Sequence, residues 1–174
     1  VKDDVYGAQL ITLSNGIRVH VLKTDYSPNN ISMQAVSWGG SSLYPNSEYN
    51  LVDNASLVQI GGWGQFSAID LQKKLSGKQA SVSPSISDRT EALHGACVKK
   101  DLETMLQLTY LCFTSPRKDD EAYNSMLERV RNSLKNADMN PATALSDSVA
   151  SVVYNNNVRA VRLRAEDVDD LSYD

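Results

Sequence analysis

Residues 10–22 read Leu10-Ile11-Thr12-Leu13-Ser14-Asn15-Gly16-Ile17-Arg18-Val19-His20-Val21-Leu22, two β-type runs about a turn. Asn-Gly between alternating apolar residues is a strong short-range hairpin signal, because both residues tolerate the left-handed backbone a tight turn needs. In the second run Ile17, Val19 and Val21 share one face with period two, which puts His20 on the other. A strand histidine so placed is expected to be solvated or hydrogen-bonded rather than to bind metal.

Working outward, Ile31 to Trp38 reads as a third strand ending at Gly39-Gly40, and Gly39 to Tyr49 is polar and turn-rich. Leu51 to Ile60 carries apolar residues at helical spacing and is expected to be a helix stopped by Gly61-Gly62, since glycine accepts a left-handed cap. Gly61-Gly62-Trp63-Gly64 lacks the Lys-Ser/Thr of a phosphate loop, so a helix stop and loop is the reading. Ser67 suits the N-cap of a helix from Ala68 to Leu75, with Asp70 in the first turn. Lys78 to Ile86 and Ala92 to Val98 read as strands. Pro84 cannot donate to a ladder, which places the first of them at an edge or a bulge. Asp101 opens the clearest helix, which ends before Ser115-Pro116. A further helix starts at Asp119 or Asp120, and another runs from Ala142 to Val153 until Asn155-Asn156-Asn157 breaks it. Val161-Arg162-Leu163 is expected to be extended and Ala165 to Val168 to open a last helix. The order β-β-β-α-α-β-β-α-α-α describes an α+β fold, an antiparallel-rich mixed sheet with helices packed on one face, as a single domain over residues 1–174.

The chain has 174 residues, 41% apolar and 22% charged, enough for one domain with a real core. A net charge of −4 argues against a nucleic-acid partner, and no apolar run is long enough to span a bilayer. The opening Val1-Lys2-Asp3-Asp4 is polar and carries no secretory signal, which says little about location. Cys97 and Cys112 are too few for a structural zinc site and read as buried free thiols. His20 and His94 are far apart, and no H-x-x-x-H or H-x-x-E-H occurs. Asp88, Arg89 and Glu91 near His94 read as a chance surface cluster, and the serines of Ser81-Val82-Ser83-Pro84-Ser85 form no G-x-S-x-G elbow.

Taken in order, these landmarks resemble one repeat of the pitrilysin/insulinase (M16) zinc metallopeptidases. Leu10 to Val19 resembles the family's L-x-N-G-L-x-V hairpin, and Ile31 to Tyr44 the strand ending in a glycine-serine step. Asp101 to Leu108 resembles the D-L-E-x-x-L-x-L helix, Phe113 to Tyr123 the P-x-F-D-E-x-x-F turn, and Arg162 to Asp169 the region near a later helix. Active repeats carry H-x-x-E-H on the helix after the glycine-serine step. Two histidines four apart on one helix face hold zinc, the glutamate activates the metal-bound water, and a distal glutamate completes the ligand set. Here the matching stretch is Asp53-Asn54-Ala55-Ser56-Leu57, and the distal position falls near Asn132-Ser133.

The resemblance therefore implies a degenerate repeat from the non-catalytic half of such a protease. It implies no metal or catalytic residue in this domain, zinc in the parent's active repeat, and continuation of the repeat past Asp174 into more helix and at least one strand. The implied partners are the other repeats of the parent chain and its peptide substrate, without nucleic acid or membrane. The implied compartment is the bacterial periplasm. Ser81-Val82-Ser83 matches the family's peptide-binding edge and is either a peptide-facing edge or a plain hairpin edge. The alternative is a non-catalytic assembly subunit of a multiprotein complex sharing the fold.

Overall fold

The computed structural model describes residues 7–172, apart from the side chain of Val58. The polar opening Val1–Asp4 lies outside the described residues. The chain divides into two units, one up to Asn30 and one from Ile31.

The first unit is a hairpin of β1 (Gln9–Thr12) and β2 (Arg18–Val21), antiparallel with Leu10 opposite His20 and Ile11 opposite Val19. Gly16 N–H donates to Leu13 O and Leu13 N–H donates to Ile17 O, with Gly16 at φ 86°. This is a turn closed by one left-handed glycine, so Gly16 needs a conformation that a Cβ disfavours. Within β2 the period-two reading holds: Val19 and Val21 share a face, with Ile11 opposite Val19, and His20 is exposed on the other, while Ile17 precedes the strand.

The second unit is built on a three-stranded sheet of order β3-β5-β4, with β3 Asn30–Trp38, β4 Ala80–Ile86 and β5 Thr90–Val98. β4 and β5 are antiparallel, Val82 opposite Gly95 and Ser83 opposite His94. β3 lies along the other side of β5: Gly39 is beside Glu91 at one end, and Met33 meets Gly95 further along. The strands thus fall in two sheets rather than one, because among the described residues β1 and β2 pair only with each other. Pro84 sits in β4 at the sheet's edge, and the register passes through it without a bulge.

Along β5 burial alternates. Leu93, Gly95 and Cys97 are buried, whereas His94 and Ala96 face solvent. Helix α3 (Leu102–Thr114) covers the buried face, contributing Met105 and Leu108. With Trp63, Val82, Leu93 and Cys97 they form the core. Gly95 is what lets the helix approach: a Cβ there would lie 2.9 Å from both Met105 Sδ and Met33 Cε. Asp101 is buried before α3 but does not cap it. Its carboxylate accepts from Gln79 N–H at 2.8 Å and pairs with Lys78 at 3.4 Å, tying the helix start to the strand start.

Helices α4 (Asp120–Asp138) and α5 (Pro141–Val153) are entered through caps, Asp119 accepting from Ala122 N–H and Asn140 from Ala142 N–H. Asn155 and Asn156 end α5 by taking φ of 49° and 54°, which asparagine tolerates better than most residues. Helix α2 (Ala68–Lys74) has Ser67 as its cap. Val161 to Leu163 forms no strand, and Asp167–Asp170 is a 3₁₀ turn. Arg162 gathers this tail: its guanidinium meets Asp147 at 2.7 Å and also Asp138, while Arg131 holds Asp169 at 2.6 Å.

These carboxylates set the acid response. Gln79 N–H holds Asp101 below the usual carboxylate range, helped by Lys78. Asp119 is held down by Ala122 N–H and Arg117, Asp147 by Arg162 and Asp169 by Arg131. Each folded value lies below the unfolded value of about 3.9. The stability they confer is therefore fully present above about pH 4 and is lost as pH falls through the folded values. Urea midpoints should be flat from neutrality to mild acid and then drop; a midpoint unchanged at about pH 3 would contradict this coupling.

Candidate functional site

The segment expected to correspond to the family's metal helix does not form one continuous helix. Helix α1 covers only Tyr49–Asp53, and a 3₁₀ segment runs over Ala55–Gly61. The expected helix from Leu51 to Ile60 is thus corrected: it breaks at Asn54. The cause is local. Asn54 N–H and its Nδ2 both donate to Asn50 O, at 3.2 and 2.8 Å, so side chain and backbone close the same turn. Leu57 N–H then reaches back to Asn54 O, three residues away. Asparagine competes with the helix through such short-range bonds. The stop at the glycines holds: Gly62 has φ 88°, and a Cβ would lie 2.3 Å from Phe66 O.

Three sets of contacts position this segment. Gly39 N–H, Ser41 N–H and Ser42 N–H donate to Arg89 O, Ser87 O and Asp88 O, fixing the glycine-serine step on the β4–β5 turn. Trp63 exchanges backbone bonds with Phe66, while Gly64 N–H donates to Ser115 O and Arg117 N–H to Gly62 O. Helix α4 packs on the 3₁₀ segment. A cavity of about 170 Å³ lies between the segment and the end of β4, lined among others by Ser56, Gln59, Trp63, Pro84, Ile86 and Cys112.

Burial, then the Asp53 and Asp88 carboxylates, push the Tyr49 phenol above its ordinary value. Asn54 is spent on Asn50. Ala55 and Leu57 offer no donor, and Ser56 offers only a hydroxyl at the cavity. Asn132 and Ser133 are exposed on α4. Among the described residues no three His, Cys, Asp or Glu side chains gather where they could hold a metal ion. The side chains at these positions do not fit zinc.

Ser81, Val82 and Ser83 lie on edge strand β4, Ser81 and Ser83 exposed and Val82 buried, leading toward Pro84 and the cavity. His94 lies opposite Ser83 in the ladder, while Glu91 is on the other face of β5 and receives Gly40 N–H at 3.3 Å. The Glu91 and His94 side chains are therefore not brought together. Cys97 and Cys112 are free thiols, and burial pushes both above the ordinary thiol value.

Two positioning residues carry no signal in the sequence. Arg117 reaches Gly61 O at 2.9 Å and Asp119 at 2.6 Å, joining the segment's end to the cap of α4. Arg159 donates to Ser41 O, Tyr44 O and Asn46 Oδ1 and lies over the Tyr49 ring at 4.9 Å. Both act across long sequence separations, where no periodicity marks a partner.

No protein-family model matches the chain. It is 29% identical over 79% of its length to the probable zinc protease PqqL of Haemophilus influenzae. It is 26% identical over 87% of its length to a zinc protease PQQL-like protein of Arabidopsis thaliana. The chain spans only 15% and 14% of these curated relatives. The periplasmic protease PqqL from Escherichia coli shares the fold at TM-score 0.76 and 22% identity, over 95% of this chain and 18% of that one. The ferredoxin protease FusC in complex with Arabidopsis ferredoxin shares it at TM-score 0.71 and 18% identity, over 96% of this chain and 18% of that one. A sequence likeness along most of the chain and a common fold along nearly all of it agree: this chain is similar to a part, the size of one repeat, of the PqqL-type zinc proteases of the M16 family.

Proposed function

We propose that this chain is a non-catalytic repeat, residues 1–174, of a larger M16-type zinc protease, serving as a wall of the substrate chamber rather than as a hydrolase. The observation that carries the reading is the segment Asp53-Asn54-Ala55-Ser56-Leu57, which has neither imidazole nor a general-base glutamate where the family's motif would stand. Without a metal the attacking water keeps its ordinary pKa, far above the value of about 7 it reaches on catalytic zinc. Zinc and the scissile chemistry belong, on this reading, to another repeat of the parent.

Its partners are the other repeats of that parent and the parent's peptide substrate. Exposed apolar residues support the first. Leu106, Tyr110 and Phe113 on α3, and Leu145, Val149 and Val152 on α5, are all at least half exposed, as are Trp38 and Val36 on β3. Such a density of apolar surface suits a piece of a larger fold better than a free-standing protein. The edge at Ser81, Val82 and Ser83 supports contact with an extended peptide, limited by the donor that Pro84 lacks. The periplasm is the proposed compartment, in keeping with the Escherichia coli relative. Among the described residues no helix is long and apolar enough to cross a membrane.

The test is elemental zinc analysis and a peptide-hydrolysis assay on the same tag-free preparation. The expected result is no stoichiometric zinc and no turnover above buffer. One zinc per chain with turnover would overturn the reading and direct mutation to His20, His94 and the carboxylates.

A further inference from the structure

The chain's mismatch with zinc extends below the side chains. We infer that the backbone of residues 51–61 is itself unable to present a pair of metal ligands four residues apart, so that restoring the lost histidines would not restore a site. The inference rests on the reading of the chain as a degenerate repeat and deepens it from missing residues to a missing scaffold.

The geometry is specific. On an α-helix, residues i and i+4 point about 40° apart, since each residue turns about 100°. That small divergence lets two imidazoles reach one ion. On a 3₁₀ segment each residue turns about 120°, so i and i+4 diverge by about 120° and cannot converge. Here α1 ends at Asp53 and the 3₁₀ segment begins at Ala55, with Asn54 between them at φ −98° and ψ 6°. A five-residue window starting at Asp53 crosses this break. Windows starting one or two residues earlier, or one later, cross it too, and a window starting at Ala55 lies wholly in the 3₁₀ segment. No alignment of the motif to within two residues finds a continuous α-helical frame.

The break is also held from both sides. Asn54 Nδ2 occupies Asn50 O, and the far end is fixed where Arg117 Nη1 donates to Gly61 O and Arg117 N–H to Gly62 O. Gly62, at φ 88°, follows directly, and a Cβ there would lie 2.3 Å from Phe66 O. A metal ion would have to rebuild this arrangement before binding, and the cost subtracts directly from its affinity.

Helix α4 offers an internal control. Asn132 and Asn136 are both exposed, four residues apart, on an unbroken α-helix. Three double variants would be compared for zinc binding by titration calorimetry and for the zinc-induced shift in melting temperature. They are Asp53→His with Leu57→His, Leu51→His with Ala55→His, and Asn132→His with Asn136→His. The α4 pair should bind zinc at least about tenfold more tightly than the wild-type chain and melt higher with zinc present. The two pairs in the broken segment should match wild type in both readouts. The Leu51 and Ala55 pair keeps the comparison within folded protein should loss of the Leu57 side chain unfold the first variant, which circular dichroism without metal would reveal. Zinc binding by either segment pair as tight as that of the α4 pair would overturn the inference. Stoichiometric zinc on the wild-type chain would instead overturn the degenerate-repeat reading, so the two failures are distinguishable.

Discussion

Gly40→Ala should destabilise the fold by about 3 kcal/mol, one of the two largest single-residue losses expected in this chain. Gly40 has φ 78° and ψ −170°, a region essentially closed to residues with a Cβ. The added carbon would also sit 2.1 Å from Ser87 O and 2.9 Å from Asp88 O, both backbone atoms that cannot turn aside. The loss would spread, because the same few residues carry the bonds from Gly39, Ser41 and Ser42 to the β4–β5 turn. Those bonds set where the chain enters α1, so residues 49–61 should loosen with them. Gly39→Ala is the matched control. The three atoms nearest its Cβ would all belong to the Glu91 side chain, with Oε1 2.7 Å away, and that exposed carboxylate can swing clear at the cost of the bond it accepts from Gly40 N–H. Urea unfolding of the two variants measures the difference. Equal midpoints for both would show that the left-handed backbone at Gly40 is not what holds the step.

Met105→Ala should cost about 2–5 kcal/mol, the range for emptying a large side chain from a packed core. Met105 is 1% exposed and sits where α3 crosses β5. The cavity left would open over Gly95, which has no side chain to relax into it. The site can be probed from the other side. Gly95→Ala alone would push a methyl to 2.9 Å from Met105 Sδ and Met33 Cε, both flexible ends able to yield a little. In the Met105→Ala background the same methyl fills vacated space, so the two substitutions should be non-additive, the second partly relieving the first. Denaturant unfolding of the wild type, the two single variants and the double variant gives the coupling. Strict additivity would mean that α3 does not rest on Gly95.

Much of the fold was legible because local signals and tertiary structure agree. Asn15-Gly16 makes the first turn, Ser67 and Asp119 cap their helices, Pro84 lies on an edge strand, and Asn155-Asn156 ends α5. Each is a short-range preference of one or two residues that no distant contact opposes. The helix expected from Leu51 to Ile60 failed for a reason also local but weaker. Apolar spacing over that stretch suits an α-helix and a pair of tighter turns almost equally, and Asn50 and Asn54 decide between them through one shared carbonyl.

The candidate site divides along the same line. The sequence alone determined which side chains stand between Leu51 and Ile60, no imidazole and no glutamate among them, because ligand identity is a property of residue type. It equally determined the α+β order and the likeness to M16 repeats. Only the tertiary structure decided that Arg117 and Arg159 hold the segment in place, that a cavity opens between Ser56 and Ile86, and that Glu91 and His94 face apart. It decided, too, that the strands form two sheets. These depend on which distant groups meet, with partners up to 118 residues apart. Periodicity and capping preferences act within a few residues along the chain, whereas such pairings are selected by packing of the whole chain.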